Sequence, residues 1–125
     1  MDMRGTVLVV DDNALVGYGT AQMLADAGFA RVHVVATIEQ AREWIDGGSL
    51  VAAVLETWAS GVSTQALAIR LRQCGVPFIF VTASDDMRDI AAECFTVPCL
   101  AKPVAPNFLL GALGIAQGGL ADDNA

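Results

Sequence analysis

Five short apolar runs, each followed by polar or turn-forming residues and separated by stretches with helical rhythm, constrain this chain more than any other feature. The first, Thr6-Val7-Leu8-Val9-Val10, is continuous, β-branched and free of polar alternation, which is the pattern of a strand buried on both faces. Val32-His33-Val34-Val35-Ala36, Val51-Ala52-Ala53-Val54-Leu55 and Pro77-Phe78-Ile79-Phe80-Val81 repeat it. Val97-Pro98-Cys99-Leu100-Ala101 is shorter, and Pro98, which has no N–H for a ladder, marks it as an edge strand or a strand start.

Helical patterns fill the gaps. Leu15, Tyr18, Ala21, Met23, Leu24 and Ala27 recur at helical spacing, and Gly28 offers a stop. Thr37 and Gln40 form a capping-box pair ahead of Ile38, Ala41, Trp44 and Ile45. A third helix is predicted from Ser63 to Gln73, and Ser84-Asp85-Asp86 reads as the cap and first turn of a fourth. Pro106-Asn107 opens a last helix carrying Phe108, Leu109, Leu110, Leu113 and Ile115, after which the Gly-rich, acidic tail from Gln117 to Ala125 is expected to fray. Strand and helix in alternation imply a parallel sheet covered on both faces, with right-handed crossovers. The fold class is therefore α/β: a flavodoxin-like (βα)5 three-layer sandwich with a five-stranded sheet in the order 2-1-3-4-5. The chain of 125 residues fits one domain, over 1–117, with 118–125 as a flexible tail.

Apolar residues make up 54% of the chain and charged residues 17%, too rich a core for disorder. The net charge of -7, without any Lys/Arg run, opposes a nucleic-acid partner, because phosphates would be repelled. Cys74, Cys94 and Cys99 form no CxxC pair and have only His33 beside them, which is not a zinc set. An odd number of cysteines without a signal-peptide pattern reads as reduced thiols, and no apolar stretch is long enough to span a membrane. The expectation is a cytoplasmic protein.

In an open α/β sheet, ligands collect beyond the C-terminal ends of the strands. Strand one ends in Asp11-Asp12, strand three in Glu56, strand four in Thr82-Ala83 and strand five in Lys102-Pro103. With strands one and three adjacent, three carboxylates converge. Two unit charges about 4 Å apart repel by roughly 4 kcal/mol at an effective dielectric of 20, so such a cluster calls for a cation. Oxygen ligands with room for water suit Mg²⁺. A carboxylate nucleophile, a metal and a lysine are what phosphoryl transfer needs. A rival reading is a flavodoxin-like small-molecule or phosphate-binding protein or enzyme. Flavin phosphate, however, wants a Ser/Thr/Gly-rich loop after strand one, where this chain has Asp11-Asp12-Asn13.

The ordered set Val9-Val10-Asp11-Asp12, Glu56 with Gly61 after it, Val81-Thr82-Ala83 and Lys102-Pro103 resembles the receiver domain of bacterial response regulators, from Thr6 to about Ile115. The resemblance implies that Asp11 and Asp12 bind metal together with the residue at 56 and the main-chain carbonyl of Trp58. It implies that Thr82 and Ala83 form the switch segment, that Lys102 contacts phosphate, and that Pro103 fills a cis-proline position. Glu56 falls on the phospho-acceptor aspartate. One extra methylene displaces the nucleophile by about 1 Å, enough to cost around 100-fold in rate. The longer carboxylate could instead reach Lys102 or Thr82 and imitate an aspartyl phosphate. Cys99 falls on the family's switch aromatic, and Ser60 on a loop proline, which predicts a looser loop. His33 and the cysteines read as structural, and Trp58 as a loop residue beside the pocket.

The function implied is a non-enzymatic receiver module that is independent of phosphorylation and acts by protein contact. Its implied partners are a histidine kinase, a phosphotransfer protein or another regulator. A homodimer through the fourth helix, fifth strand and last helix belongs to the same expectation, which rests on fold-level analogy.

Overall fold

The structure is a computed structural model that describes residues 2–82 and 97–123, with side chains through residue 114. Ala83, Cys94 and the helix expected from Ser84 lie outside the described residues. Strands β1 (Thr6–Val10), β2 (Arg31–Val35), β3 (Leu50–Glu56), β6 (Phe78–Thr82) and β7 (Cys99–Ala101) form one parallel sheet in the order β2-β1-β3-β6-β7. This is the order 2-1-3-4-5 expected for a flavodoxin-like sheet. Helices α1 (Ala14–Asp26), α2 (Ile38–Asp46), α3 (Gln65–Gln73) and α4 (Pro106–Asp123) connect and cover it. Between β3 and α3 the chain makes a small antiparallel ribbon of β4 (Trp58–Ala59) and β5 (Val62–Ser63).

The period of two along the strands divides the core. Leu8, Val10, Leu55, Phe78 and Phe80 face α2 and α3, where they meet Ala41, Ile45, Leu67 and Leu71. Val7, Val9, Val54, Ile79 and Val81 face the other way, onto Leu24 of α1 and Leu109 and Leu113 of α4. The central strands are buried on both faces, which is why they read as unbroken apolar runs.

The helix ends follow local chemistry. Asn13, rather than either aspartate, caps α1 by accepting from the Val16 N–H at 3.2 Å. Thr37 Oγ1 accepts from the Gln40 N–H at 3.2 Å, while the Gln40 side chain reaches back to the Ala36 N–H at 3.1 Å, one residue beyond the usual capping-box return. Two sequence expectations shift. Leu15 and Tyr18 are exposed, because α1 turns Gly17 and Leu24 inward. The backbone of α4 stays helical to Asp123, beyond Gln117, since each added residue of a formed helix gains a hydrogen bond at little cost.

Gly17 sets how close α1 lies to the C-terminal edge of the sheet. A Cβ there would stand 2.8 Å from Val34 Cγ1 and 3.4 Å from Asp11 Cβ. Gly17→Val is therefore expected to destabilise the protein by about 1–3 kcal/mol through overpacking. The expected measurement is a lower urea midpoint at unchanged slope; an unchanged midpoint would contradict the close packing.

Candidate functional site

Four side chains from three strand ends and one loop meet at the C-terminal edge. Asp11 follows β1, and its N–H extends the ladder to the Val35 carbonyl at 3.0 Å. Its carboxylate is buried: Oδ1 accepts from the Asn13 N–H at 2.9 Å and Oδ2 from Lys102 Nζ at 2.7 Å. Glu56 ends β3, and its Oε1 accepts from Lys102 Nζ at 3.0 Å. Its Oε2 is buried and has no hydrogen-bond partner. Asp12 is exposed, and its Oδ2 accepts from the Ser60 N–H at 2.8 Å. Lys102 follows β7, is joined to Pro103 by a cis peptide, and donates its own N–H to the Thr82 carbonyl at 2.8 Å.

One ammonium thus bonds two of three carboxylates, each of which offers an oxygen within 4.8 Å of the others. Burial lowers the basicity of Lys102, but Asp11 and Glu56 outweigh it and hold the ammonium above its ordinary value. Glu56 takes the opposite course. Burial raises its carboxyl, Lys102 pulls it down, and Asp11 and Asp12 push it up again, to about 7. Asp11 holds the shorter contact to the cation, so Glu56 is the group left undercompensated. Asp12 stays below its usual value, chiefly through the Ser60 N–H.

The ribbon after Glu56 was not legible as such. Ser60 has φ 53° and Gly61 φ 76°, a left-handed pair that closes a tight two-residue turn. A proline at 60 could neither adopt that φ nor donate to Asp12, so serine here tightens the loop that the sequence reading expected to be looser. Thr64 was also missed. It is fully buried, and its hydroxyl donates to the Glu56 carbonyl at 2.6 Å, pinning the backbone that carries the carboxylate. Thr57 follows Glu56 and donates its hydroxyl to Thr82 Oγ1 at 3.3 Å. A hydroxyl directly after a strand-ending acid was the available signal.

Of the remaining predicted residues, Thr82 is buried at the end of β6 and Trp58 is partly exposed on β4 beside the site. Cys99 is half-buried in β7 and packs on the core beneath α2 and α3, where burial pushes its thiol up. It is a packed small side chain rather than a reactive thiolate. The donor set fits a hard divalent cation: three carboxylates converge, and the buried Glu56 Oε2 lacks a partner.

No protein-family model matches this sequence, and no curated protein matches it. The likeness is to solved structures. A CheY-like response regulator receiver domain protein from Methanospirillum hungatei superposes with a TM-score of 0.81 at 19% identity, over 96% of this chain and 98% of the other. The signal receiver domain of a modulated diguanylate cyclase from Desulfovibrio desulfuricans gives 0.82 at 26% identity, over 96% and 98%. A response regulator from Burkholderia pseudomallei, solved with a phosphorylated aspartic acid and a calcium ion, gives 0.79 at 19% identity, over 97% of this chain and 73% of that one. The fold is that of CheY-like response regulator receiver domains. Among the described residues no helix is long and apolar enough to cross a membrane.

Raising the Glu56 carboxyl from 4.5 to about 7 makes the folded state bind the extra proton between those limits. Stability from this group is fully present below about 4.5 and is lost as pH rises through about 7. In metal-free buffer the loss is expected to be on the order of a few kcal/mol. Glu56→Gln should flatten the profile. Parallel profiles for the two proteins would show that Glu56 titrates normally.

Proposed function

We propose that this chain is a receiver module of two-component phosphorelay signalling in which Glu56 occupies the phospho-acceptor position and imitates an aspartyl phosphate. The observation that carries the proposal is the Glu56–Lys102 contact at 3.0 Å, made by a carboxylate one methylene longer than that of aspartate. The lysine that would meet a phosphoryl oxygen is already engaged by the longer carboxylate. The module therefore signals independently of phosphorylation, and it acts by binding rather than by catalysis. Similarity to receiver domains, including the 26%-identical one, supports the signalling role.

Asp11, Asp12 and Glu56, with the main-chain carbonyl of Trp58, would hold Mg²⁺. Bound there, the ion supplies the charge neutralisation that the cluster lacks and that an incoming phosphoryl group would need. Its partners are a histidine kinase, a phosphotransfer protein or another regulator, met in the cytoplasm. Exposed Phe108 and Leu110 on α4 support a protein contact or a homodimer through that helix. Thr82 and Ala83 are the switch segment in this reading. Cys99 stands where a mobile aromatic would couple the switch to the surface, and a small packed thiol leaves that coupling weak.

Intact-mass measurement after incubation with acetyl phosphate and Mg²⁺ tests the proposal. The native protein is expected to gain no phosphoryl group and Glu56→Asp to gain one. Labelling of the native chain at Glu56 would make it an ordinary phospho-switch, and an unlabelled Glu56→Asp would remove the receiver chemistry altogether. Millimolar MgCl2 is expected to raise the thermal midpoint of the native protein, by up to about 2.7 kcal/mol of stability at a hundredfold excess over Kd. Asp12→Asn should abolish most of that gain; an equal gain in both proteins would place the ion elsewhere.

A further inference from the structure

Just beyond the last pair of the β3–β6 ladder, the hydroxyls of Thr57 and Thr82 come together. Glu56 is paired with Val81 at the end of the β3–β6 ladder, and the Thr57 N–H carries the chain one residue further along β6 by donating to the Val81 carbonyl. Side chains alternate along a strand, which places these two hydroxyls together and Glu56 on the opposite face. The Thr57 hydroxyl donates to Thr82 Oγ1 at 3.3 Å.

Both residues sit on fixed backbone. The Thr57 N–H donates to the Val81 carbonyl at 3.2 Å. The Thr57 carbonyl accepts from the Thr64 N–H at 3.1 Å. The Thr82 carbonyl is held by the Lys102 N–H at 2.8 Å. What remains adjustable is rotation of a β-branched side chain among its few staggered positions, and a neighbouring hydroxyl biases that choice.

We infer that Thr57 is a positioning residue for the switch: its hydroxyl holds the Thr82 hydroxyl in its present rotamer and sets how readily Thr82 turns toward an anion beside Lys102. This rests on the receiver reading above and extends it to a residue outside the acidic site. Thr57 touches no reacting atom; it acts through Thr82.

Two measurements test it. In the native chain, three-bond couplings to the Thr82 γ-methyl carbon report its rotamer. Thr57→Ser, which keeps the hydroxyl, should leave them unchanged, and the near-isosteric Thr57→Val should move them toward a rotamer average. Unchanged couplings in Thr57→Val overturn the inference. The second measurement uses the Glu56→Asp background, where a carboxylate oxygen attacks the phosphorus of acetyl phosphate and the bond to the departing acetate breaks. Water then attacks the phosphorus of the acyl phosphate, releasing inorganic phosphate and restoring the carboxylate. Thr57→Val is expected to lengthen the acyl phosphate lifetime about two- to five-fold, the factor that a cross-strand Thr–Thr contact can carry. With Thr82→Ala also present, that effect should vanish. An effect that persists without the Thr82 hydroxyl overturns the inference. If Glu56→Asp takes no phosphoryl group at all, the receiver reading falls, and the couplings alone decide the role of Thr57.

Discussion

The ammonium of Lys102, shared between Asp11 at 2.7 Å and Glu56 at 3.0 Å, is the contact on which the C-terminal edge of this sheet depends. A parallel sheet delivers its strand ends to one edge, and here two adjacent strands both end in acids. Without a counter-charge, carboxylates this close and this dry would repel each other strongly. A single cation cannot neutralise three anions, so the imbalance falls on one group. It falls on Glu56, which is held at the longer distance and has its second oxygen buried without a partner. The same imbalance makes the site a place for a proton or a hard cation, and for both in competition.

Around this ion pair the chain invests hydrogen bonds in backbone rather than in more charge. Thr64 clamps the carbonyl of Glu56, and Ser60 turns its N–H onto Asp12. Lys102 anchors its own N–H on Thr82 before its side chain reaches inward. Each of these fixes the position from which a charged group acts.

The architecture was legible because burial leaves a strong periodic signal. Strands covered on both faces must be apolar at every position, as β1 and β6 are, and that pattern alone indicates a parallel sheet with helices on both sides. The capping pair Thr37 and Gln40 and the convergence of Asp11, Asp12, Glu56 and Lys102 followed from residue type and strand order. Where structure and sequence pattern part, the deciding contacts are tertiary. Leu15 and Tyr18 fit a helical stripe, yet they lie outside because Gly17 lets α1 pack through its own backbone. The turn at Ser60 and Gly61 depends on a left-handed serine, which no residue preference foretells.

The sequence by itself determined the sheet, its order and the group of acids and lysine at its edge, because hydrophobic period and strand-end chemistry are properties of neighbouring residues. Only the tertiary structure decided how charge is divided within that group. Which carboxylate takes the closer contact with Lys102, which oxygen is left buried and unpaired, and which hydroxyl lies beside that of Thr82 depend on ångström-scale distances between strands that are far apart in the chain. Electrostatic and hydrogen-bond energies change steeply over those distances, and residue order does not encode them.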